Sequence, residues 1–339
     1  MGILYLGIVI SFVIILISNI GFLLINIYLW TIGDHAIVTS GTNLIEILYY
    51  APYFKWIVLM DVLWLSIGFS FALTRKTYKT EKQFYLKTEK INDPIIAVII
   101  PTFNEENNVE KIIKDFQSEK NVKHVLVIDN NSSDKTVEIS KKCGAIVKTK
   151  ETNKGFGDSC IVGFQEALKT DANIIVLTEC DGTYNSSDLE KMVPYLDNCE
   201  VVLGTRLIQV LTEKGNQNGT FNTWGNFFIA KLIQLKFFSL QHMGVVSLTD
   251  VGCTFRCIRR EGLEKMIDKI ANDYDKNIDK NGWMIIPYLN MTAIKKDLKI
   301  VEVPITFKKR TGGLSKSGAQ KKSKGLFYGL RFIWFVLKS

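Results

Sequence analysis

Apolar and polar positions divide the chain into two regimes. Residues 3–30 form an apolar run without one charged side chain, longer than the roughly 20 residues that take a helix across a bilayer. A second run, residues 56–73, contains a single charge, Asp61, and predicts a helix over residues 54–73. Both read as transmembrane helices of a segment 1–74. The alternative, a hydrophobic hairpin buried in a soluble protein, fits poorly with so long and uniform a first run. Asp61 lies near the helix end that faces away from the rest of the chain and is read as reaching for the interface. The opening MGILYLGIVI has neither the basic start nor the short apolar core of a cleaved signal peptide, which predicts an uncleaved anchor.

Past a linker at residues 75–94, short apolar runs alternate with polar stretches of helical period. IIAVIIP, VKHVLVID, AIVKTK, NIIVLTECD and VVLGTR read as strands. NNVEKIIKDFQSE spaces Val109, Ile112, Ile113 and Phe116 as one helix face. SDKTVEISKKC predicts a helix capped near Ser132 or Ser133, and GFGDSCIVGFQEALKT another. A cap from Ser187 or Asp188 would start a further helix. Later come an aromatic-rich helix, NTWGNFFIAKLIQLKFFSLQ, then KIVEVPITFKKRTGGLSKS, a strand leading into a basic loop. The tail, residues 317–339, ends in GLFYGLRFIWFVLKS, too short in its apolar part to span and suited by its aromatics to a membrane interface. Alternation of this kind predicts an α/β fold with a parallel sheet flanked by helices. Ligands of such sheets lie outside the carboxyl ends of the strands, and Glu105, Asp129, Glu179 and Asp181 all fall there.

Charge narrows the partners. Lys and Arg number 42 against 34 Asp and Glu, a net charge of +8. The basic residues gather beside apolar segments, which fits anionic lipid head groups better than nucleic acid. Lys55 is the only Lys or Arg between the two predicted spans, whereas Arg75, Lys76, Lys79, Lys82, Lys87 and Lys90 follow the second. That asymmetry predicts a multi-pass membrane protein with the remainder of the chain on the cytosolic side. Six cysteines without a CxxC pair, and three histidines, argue against a zinc site and suit a reducing compartment.

Seven motifs occur in order: VIIPTFNEENNV, VLVIDNNSSDKT, NKGFGDS, ECDGTY, VVLGTR, DVGCTFR and VPITFKKRTGGLSKS. Together they resemble the family 2 glycosyltransferases of GT-A fold, a Rossmann-like, mostly parallel nucleotide-diphospho-sugar transferase. Within that family the resemblance is to polyprenyl-phosphate sugar synthases of the dolichol-phosphate mannose or glucose type. It covers roughly residues 95–316. It implies transfer of a sugar, with inversion, from a UDP- or GDP-linked donor to polyprenyl phosphate. It also implies Mg2+ or Mn2+ held by Glu179 and Asp181. Glu179 stands where the family carries the first Asp of an Asp-x-Asp pair, and Thr183 where a further ligand, often Gln, is found. The donor would lie against Pro101, Thr102, Glu105, Asp129 and Lys154; Asn130 replaces a frequent second Asp and leaves uracil against guanine open. The acceptor would meet Arg206, Arg256, Arg310, Ser315 and Lys316, with Lys214 near a position where some relatives have Arg.

The chemistry agrees with these assignments. A diphosphate gains charge as it leaves, and a divalent cation on oxygen ligands offsets it. A lipid phosphate calls for guanidinium or ammonium partners and, with a second pKa near 6, needs no base. Asp181, Asp250, Arg206 and Arg310 are therefore the candidate catalytic residues, with Asp250 a positioning group or the partner of Arg256. Two other readings stand beside this one. In the first, a glycan or glycolipid hydroxyl is the acceptor and Asp250 its base. In the second, the chain is a membrane scaffold with a degenerate sugar-nucleotide domain. A processive synthase is disfavoured, since no Gln-x-x-Arg-Trp motif occurs.

Overall fold

The computed structural model describes residues 2–31, 54–74, 89–217, 219–237, 246–277, 282, 284–311 and 322–338. Ser315, Lys316 and linker residues 75–88 lie outside the described residues. Two helices, α1 (Gly2–Thr31) and α2 (Phe54–Thr74), form one compact unit, and the chain from Tyr78 to Val336 forms a second.

The 30 residues of α1 make a rod of about 45 Å. Counting only residues whose side chains are described, no helix is long and apolar enough to cross a membrane. The two helices meet through Phe12 and Trp64, whose ring centroids are 5.2 Å apart, and through a polar contact. Asn19 Nδ2 donates to Asp61 Oδ1 at 3.2 Å. The expectation that Asp61 reaches outward is thereby corrected: a carboxylate in apolar surroundings is stabilised by a donor, and the neighbouring helix supplies one.

The second unit is built on a seven-stranded sheet ordered β3-β2-β1-β4-β6-β5-β7. Its strands are β1 (Ile96–Thr102), β2 (Val122–Asp129), β3 (Ile146–Thr149), β4 (Ile174–Leu177), β5 (Val201–Thr205), β6 (Arg256–Arg259) and β7 (Ile300–Pro304). All pairings are parallel except those of β6, which runs antiparallel to both neighbours. Every residue of β1 is buried, because crossover helices cover both faces of a central parallel strand; its apolar run is therefore continuous rather than alternating. Helix α3 (Val109–Gln117) buries Val109, Ile112, Ile113 and Phe116, the face its spacing predicts. Helix α5 (Phe156–Ala167) approaches β1 so closely that a Cβ on Gly163 would lie 2.3 Å from Ile99 Cγ2.

Several local expectations change. Helix α4 (Thr136–Lys142) has Lys135 at its N-cap without a side-chain cap; the turn before it is held by Asp134, whose Oδ1 accepts from Thr136 N at 3.0 Å and Thr136 Oγ1 at 2.5 Å. Ser132 and Ser133 instead bind Asn104, tying the loop after β1 to the loop after β2. Ser187 and Asp188 provide no side-chain cap for the short helix α6 (Leu189–Met192). Asp188 accepts from Thr306 N at 2.6 Å, just past β7. Strand β6 escapes prediction because two of its four residues are arginines. Helices α7 (Thr220–Lys236), α8 (Arg260–Asn277), α9 (Ile285–Lys295) and α10 (Lys322–Lys338) complete the unit. The end of α10 rests on α9 through Tyr288 and Phe335, with ring centroids 5.9 Å apart, and Lys236 of α7 donates to the Val336 carbonyl.

Candidate active site

Thr102 and Asp129 end β1 and β2 side by side in the parallel register. Asp129 is fully buried and accepts from Ser132 N at 3.1 Å. The neighbouring strand-end loop is organised by Asn130. Its amide donates to Asn153 Oδ1 at 2.6 Å, and its Oδ1 accepts from Lys154 N at 3.1 Å. The Lys154 side chain is exposed. Glu105, past Pro101 and Thr102, donates its backbone N–H to Thr136 Oγ1 at 2.8 Å, and its carboxylate accepts from Asn108 Nδ2 at 3.0 Å.

After β4 the chain turns sharply. Asp181 Oδ1 accepts from Thr183 N at 3.1 Å and Thr183 Oγ1 at 2.6 Å, so Thr183 orients the carboxylate. Between them Gly182 has φ +76°, and a Cβ there would lie 2.4 Å from Thr311 Oγ1. Both conditions select glycine. The close neighbour is the basic loop after β7, which is laid onto this turn. Lys308 N donates to Thr183 O at 2.7 Å, Thr311 N to Asp181 O at 3.1 Å, and Lys309 N to Glu213 Oε2 at 2.6 Å. Asn108 Nδ2 donates to the Thr311 carbonyl at 2.8 Å. Arg310 is thereby placed between two acids, with Nη1 3.5 Å from Asp181 Oδ2 and Nη2 3.8 Å from Glu105 Oε1.

Glu179 is half-buried and accepts from Thr254 Oγ1 at 2.5 Å. Thr254 is itself fixed, since its N–H donates to the Tyr184 hydroxyl at 3.1 Å. Burial, then the nearby Asp181 carboxylate, raise the Glu179 pKa above the usual carboxylate range, while Thr254, Arg206 and Arg310 oppose the shift. Two like charges at one strand end thus lack full compensation from the protein. Among the described residues no group of three or more His, Cys, Asp or Glu is arranged to hold a metal ion. Two hard carboxylates nevertheless fit Mg2+ or Mn2+, which are commonly held by one or two carboxylates with substrate phosphates completing the shell.

Arg206 and Asp250 form a buried pair. Nε donates to Oδ2 at 2.7 Å, Nη2 to Oδ1 at 2.9 Å, and the Arg206 backbone N–H to Oδ2 at 3.1 Å. Gly252 N adds a fourth bond to Asp250 Oδ1 at 3.1 Å. The guanidinium also lies over the Phe307 ring, 5.1 Å from its centroid. The partner of Asp250 is therefore Arg206 and not Arg256. Arg256 does not join the basic cluster: it is 1% exposed and donates to Thr254 O, Cys253 O and Asn290 Oδ1. Its place is under the loop that carries Asp250 and Thr254. Sequence reasoning missed Asn108, Thr254 and Glu302, the last accepting from Thr249 N and Asp250 N. The first two belong to quoted motifs, but their partners lie 203 and 75 residues away, which no local spacing reveals.

A mostly parallel α/β sheet with carboxylates and guanidinium groups gathered past its strand ends is a GT-A-like fold. The chain belongs to glycosyl transferase family 2, whose family model matches residues 97–267, and it is a glycosyltransferase. It is 27% identical to polyprenol monophosphomannose synthase of Mycolicibacterium smegmatis, over 68% of this chain and 83% of that one. It is 27% identical to dolichyl-phosphate hexose transferase of Haloferax volcanii, over 64% of this chain and 84% of that one. Glucosyl-3-phosphoglycerate synthase of Mycobacterium tuberculosis, solved with Mg2+ and uridine diphosphate, superposes with a TM-score of 0.47 at 17% identity, covering 71% of this chain and 79% of that one.

Proposed function

We propose that the protein moves a hexosyl group from a UDP- or GDP-linked sugar to a polyprenyl (dolichyl) phosphate, at the cytosolic face of a membrane in which α1 and α2 anchor it. Support for the anchor is physical. Ile17 and Leu24 of α1 and Leu65 of α2 are each 60–65% exposed, a disposition that favours lipid around them. Trp224 of α7 and Trp334 of α10, 67% and 54% exposed, suit the head-group region.

In this reading the base and ribose of the donor lie along Pro101, Thr102, Asp129 and Lys154, and Glu105 borders its phosphates. Glu179 and Asp181 would hold Mg2+ or Mn2+, which supplies positive charge to the departing diphosphate. An acceptor phosphate oxygen forms the new bond to the anomeric carbon as the bond to the diphosphate breaks, and the carbon inverts. Arg310, with Lys316, neutralises the phosphates that meet there, Ser315 offers a hydroxyl donor, and Arg206, its charge paired with Asp250, lines the acceptor side.

The observation that carries the choice of acceptor is the state of Asp250. Its carboxylate already accepts four N–H donors, two of them from a buried guanidinium. Those donors occupy both oxygens of the carboxylate, and a phosphate nucleophile asks for no base. The reading in which Asp250 activates a sugar hydroxyl loses its base by the same argument. Purified protein in detergent, given labelled nucleotide-sugars with either polyprenyl phosphate or the matching alcohol, tests the reading. Label is expected in the organic phase with the phosphate alone; equal rates on the alcohol would overturn it.

A further inference from the structure

Arg310 is held where a cation is wanted, and its backbone is not free to leave. The bridges Tyr184–Phe307 and Thr212–Phe307, together with the bonds from Lys308, Lys309 and Thr311, clamp the loop on both sides of it. Its side chain is 13% exposed and touches Asp181 Oδ2 and Glu105 Oε1 at ion-pair distances rather than in tight hydrogen bonds. The Nε is buried without a hydrogen-bond partner. The guanidinium is therefore held mainly by charge, and a better anion can take it over.

The carboxylates beneath it are half committed. Asp181 gives Oδ1 to Thr183 and Glu179 gives Oε1 to Thr254. One oxygen of each remains for a cation, and the one on Asp181 faces Arg310. Two protein oxygens do not complete the octahedral shell of Mg2+ or Mn2+.

We propose that Arg310 is a tethered counter-ion that stands in for the divalent cation while the donor site is empty, so that the protein takes up the metal only together with a nucleoside diphosphate. The inference rests on the donor chemistry proposed above. A diphosphate brings the missing oxygen ligands, and it also brings the anion to which the guanidinium transfers when it leaves Asp181. Binding of metal and binding of diphosphate are then coupled through one side chain. By reciprocity each tightens the other by the same factor. A bare divalent ion meets a resident positive charge within 4 Å of its ligand and is repelled.

The test is Mn2+ binding to the full-length protein in detergent, followed by the electron paramagnetic resonance signal of free Mn2+, with and without UDP or GDP. Wild type is expected to bind Mn2+ weakly alone and at least tenfold more tightly with one of the two nucleotides. In Arg310→Gln, Mn2+ alone is expected to bind roughly tenfold more tightly than in wild type, and the nucleotide-induced gain to shrink correspondingly. Arg310→Lys keeps the charge and should follow wild type, which also guards against a folding defect in the glutamine variant. Lys309→Gln removes the same charge one residue away and should shift bare Mn2+ affinity by less than twofold. Unchanged or weaker Mn2+ binding by Arg310→Gln in the absence of nucleotide overturns the tethered counter-ion. Failure of both nucleotides to tighten Mn2+ on wild type overturns the donor chemistry and with it the coupling, a result distinct from the behaviour of Arg310→Gln without nucleotide.

Discussion

Replacing Asp250 by asparagine leaves Arg206 charged and buried while halving its acceptors. The Asp250 side chain is 0% exposed and that of Arg206 11%. Removing one partner of a buried ion pair costs about 3–5 kcal/mol, and the slight exposure of Arg206 places this case near the lower end. For a unit of this size each kcal/mol lowers Tm by about 2–4 °C, so a fall of roughly 6–12 °C is expected by scanning fluorimetry in detergent. The double variant R206Q/D250N, a neutral amide pair, should recover part of that loss because no charge is left uncompensated. Turnover on polyprenyl phosphate, measured across pH well below the melting range, should fall moderately in Asp250→Asn without moving the alkaline limb of the profile. No essential base titrates there if the acceptor is already ionised. A variant that melts with wild type yet loses activity by several powers of ten, with a reshaped pH profile, would refute the reasoning and restore Asp250 as a base.

Chelator should abolish turnover and Mg2+ or Mn2+ restore it, with Asp181→Asn more damaging than Glu179→Asp; full activity of Asp181→Asn in chelator would contradict the metal role. Gly182→Ala forces a left-handed residue against Thr311 Oγ1, a backbone cost of about 1–2 kcal/mol before any clash, and should lower turnover at least tenfold by lifting Arg310 from Asp181. Gly144→Ala has a similar φ of +77° with nothing within 4 Å, so it should lose stability alone; equal turnover in the two variants would argue against the Gly182 contact. Burial pushes the Cys199 and Cys253 thiols up to about 12 and those of Cys160 and Cys257 higher still. At pH 8 only half-buried Cys143 should then react quickly with a thiol reagent, and more than one fast thiol per native chain would contradict the packing. In sealed inside-out vesicles protease should remove the second unit, and its protection there would reverse the proposed orientation.

What the sequence determined by itself is what depends on neighbours in the chain. Continuous apolar runs marked β1, β2 and β4, and a 3.6-residue period marked the buried face of α3, Val109, Ile112, Ile113 and Phe116, because burial of a strand or a helix face is written into adjacent positions. The strand-end placement of Glu105, Asp129, Glu179 and Asp181 followed from the same runs. The order of motifs carried the family. Capping was less legible: Ser132 and Ser133 stand before α4 in the sequence, yet the carboxylate that meets Thr136 N is that of Asp134.

Tertiary structure decided which charges meet. Arg206, Arg256 and Arg310 look alike in sequence, each a basic residue in a matching motif. An antiparallel strand inserted between β4 and β5 buries Arg256 against carbonyls, while Arg206 is committed to Asp250 across 44 residues. Arg310 alone is carried over the acids, because the loop after β7 docks on the turn after β4, 130 residues away. That docking depends on the sheet order and on a left-handed glycine with no room for a Cβ. A charge is worth little until its distance to its partner and its exposure to water are fixed, and only the folded sheet fixes both.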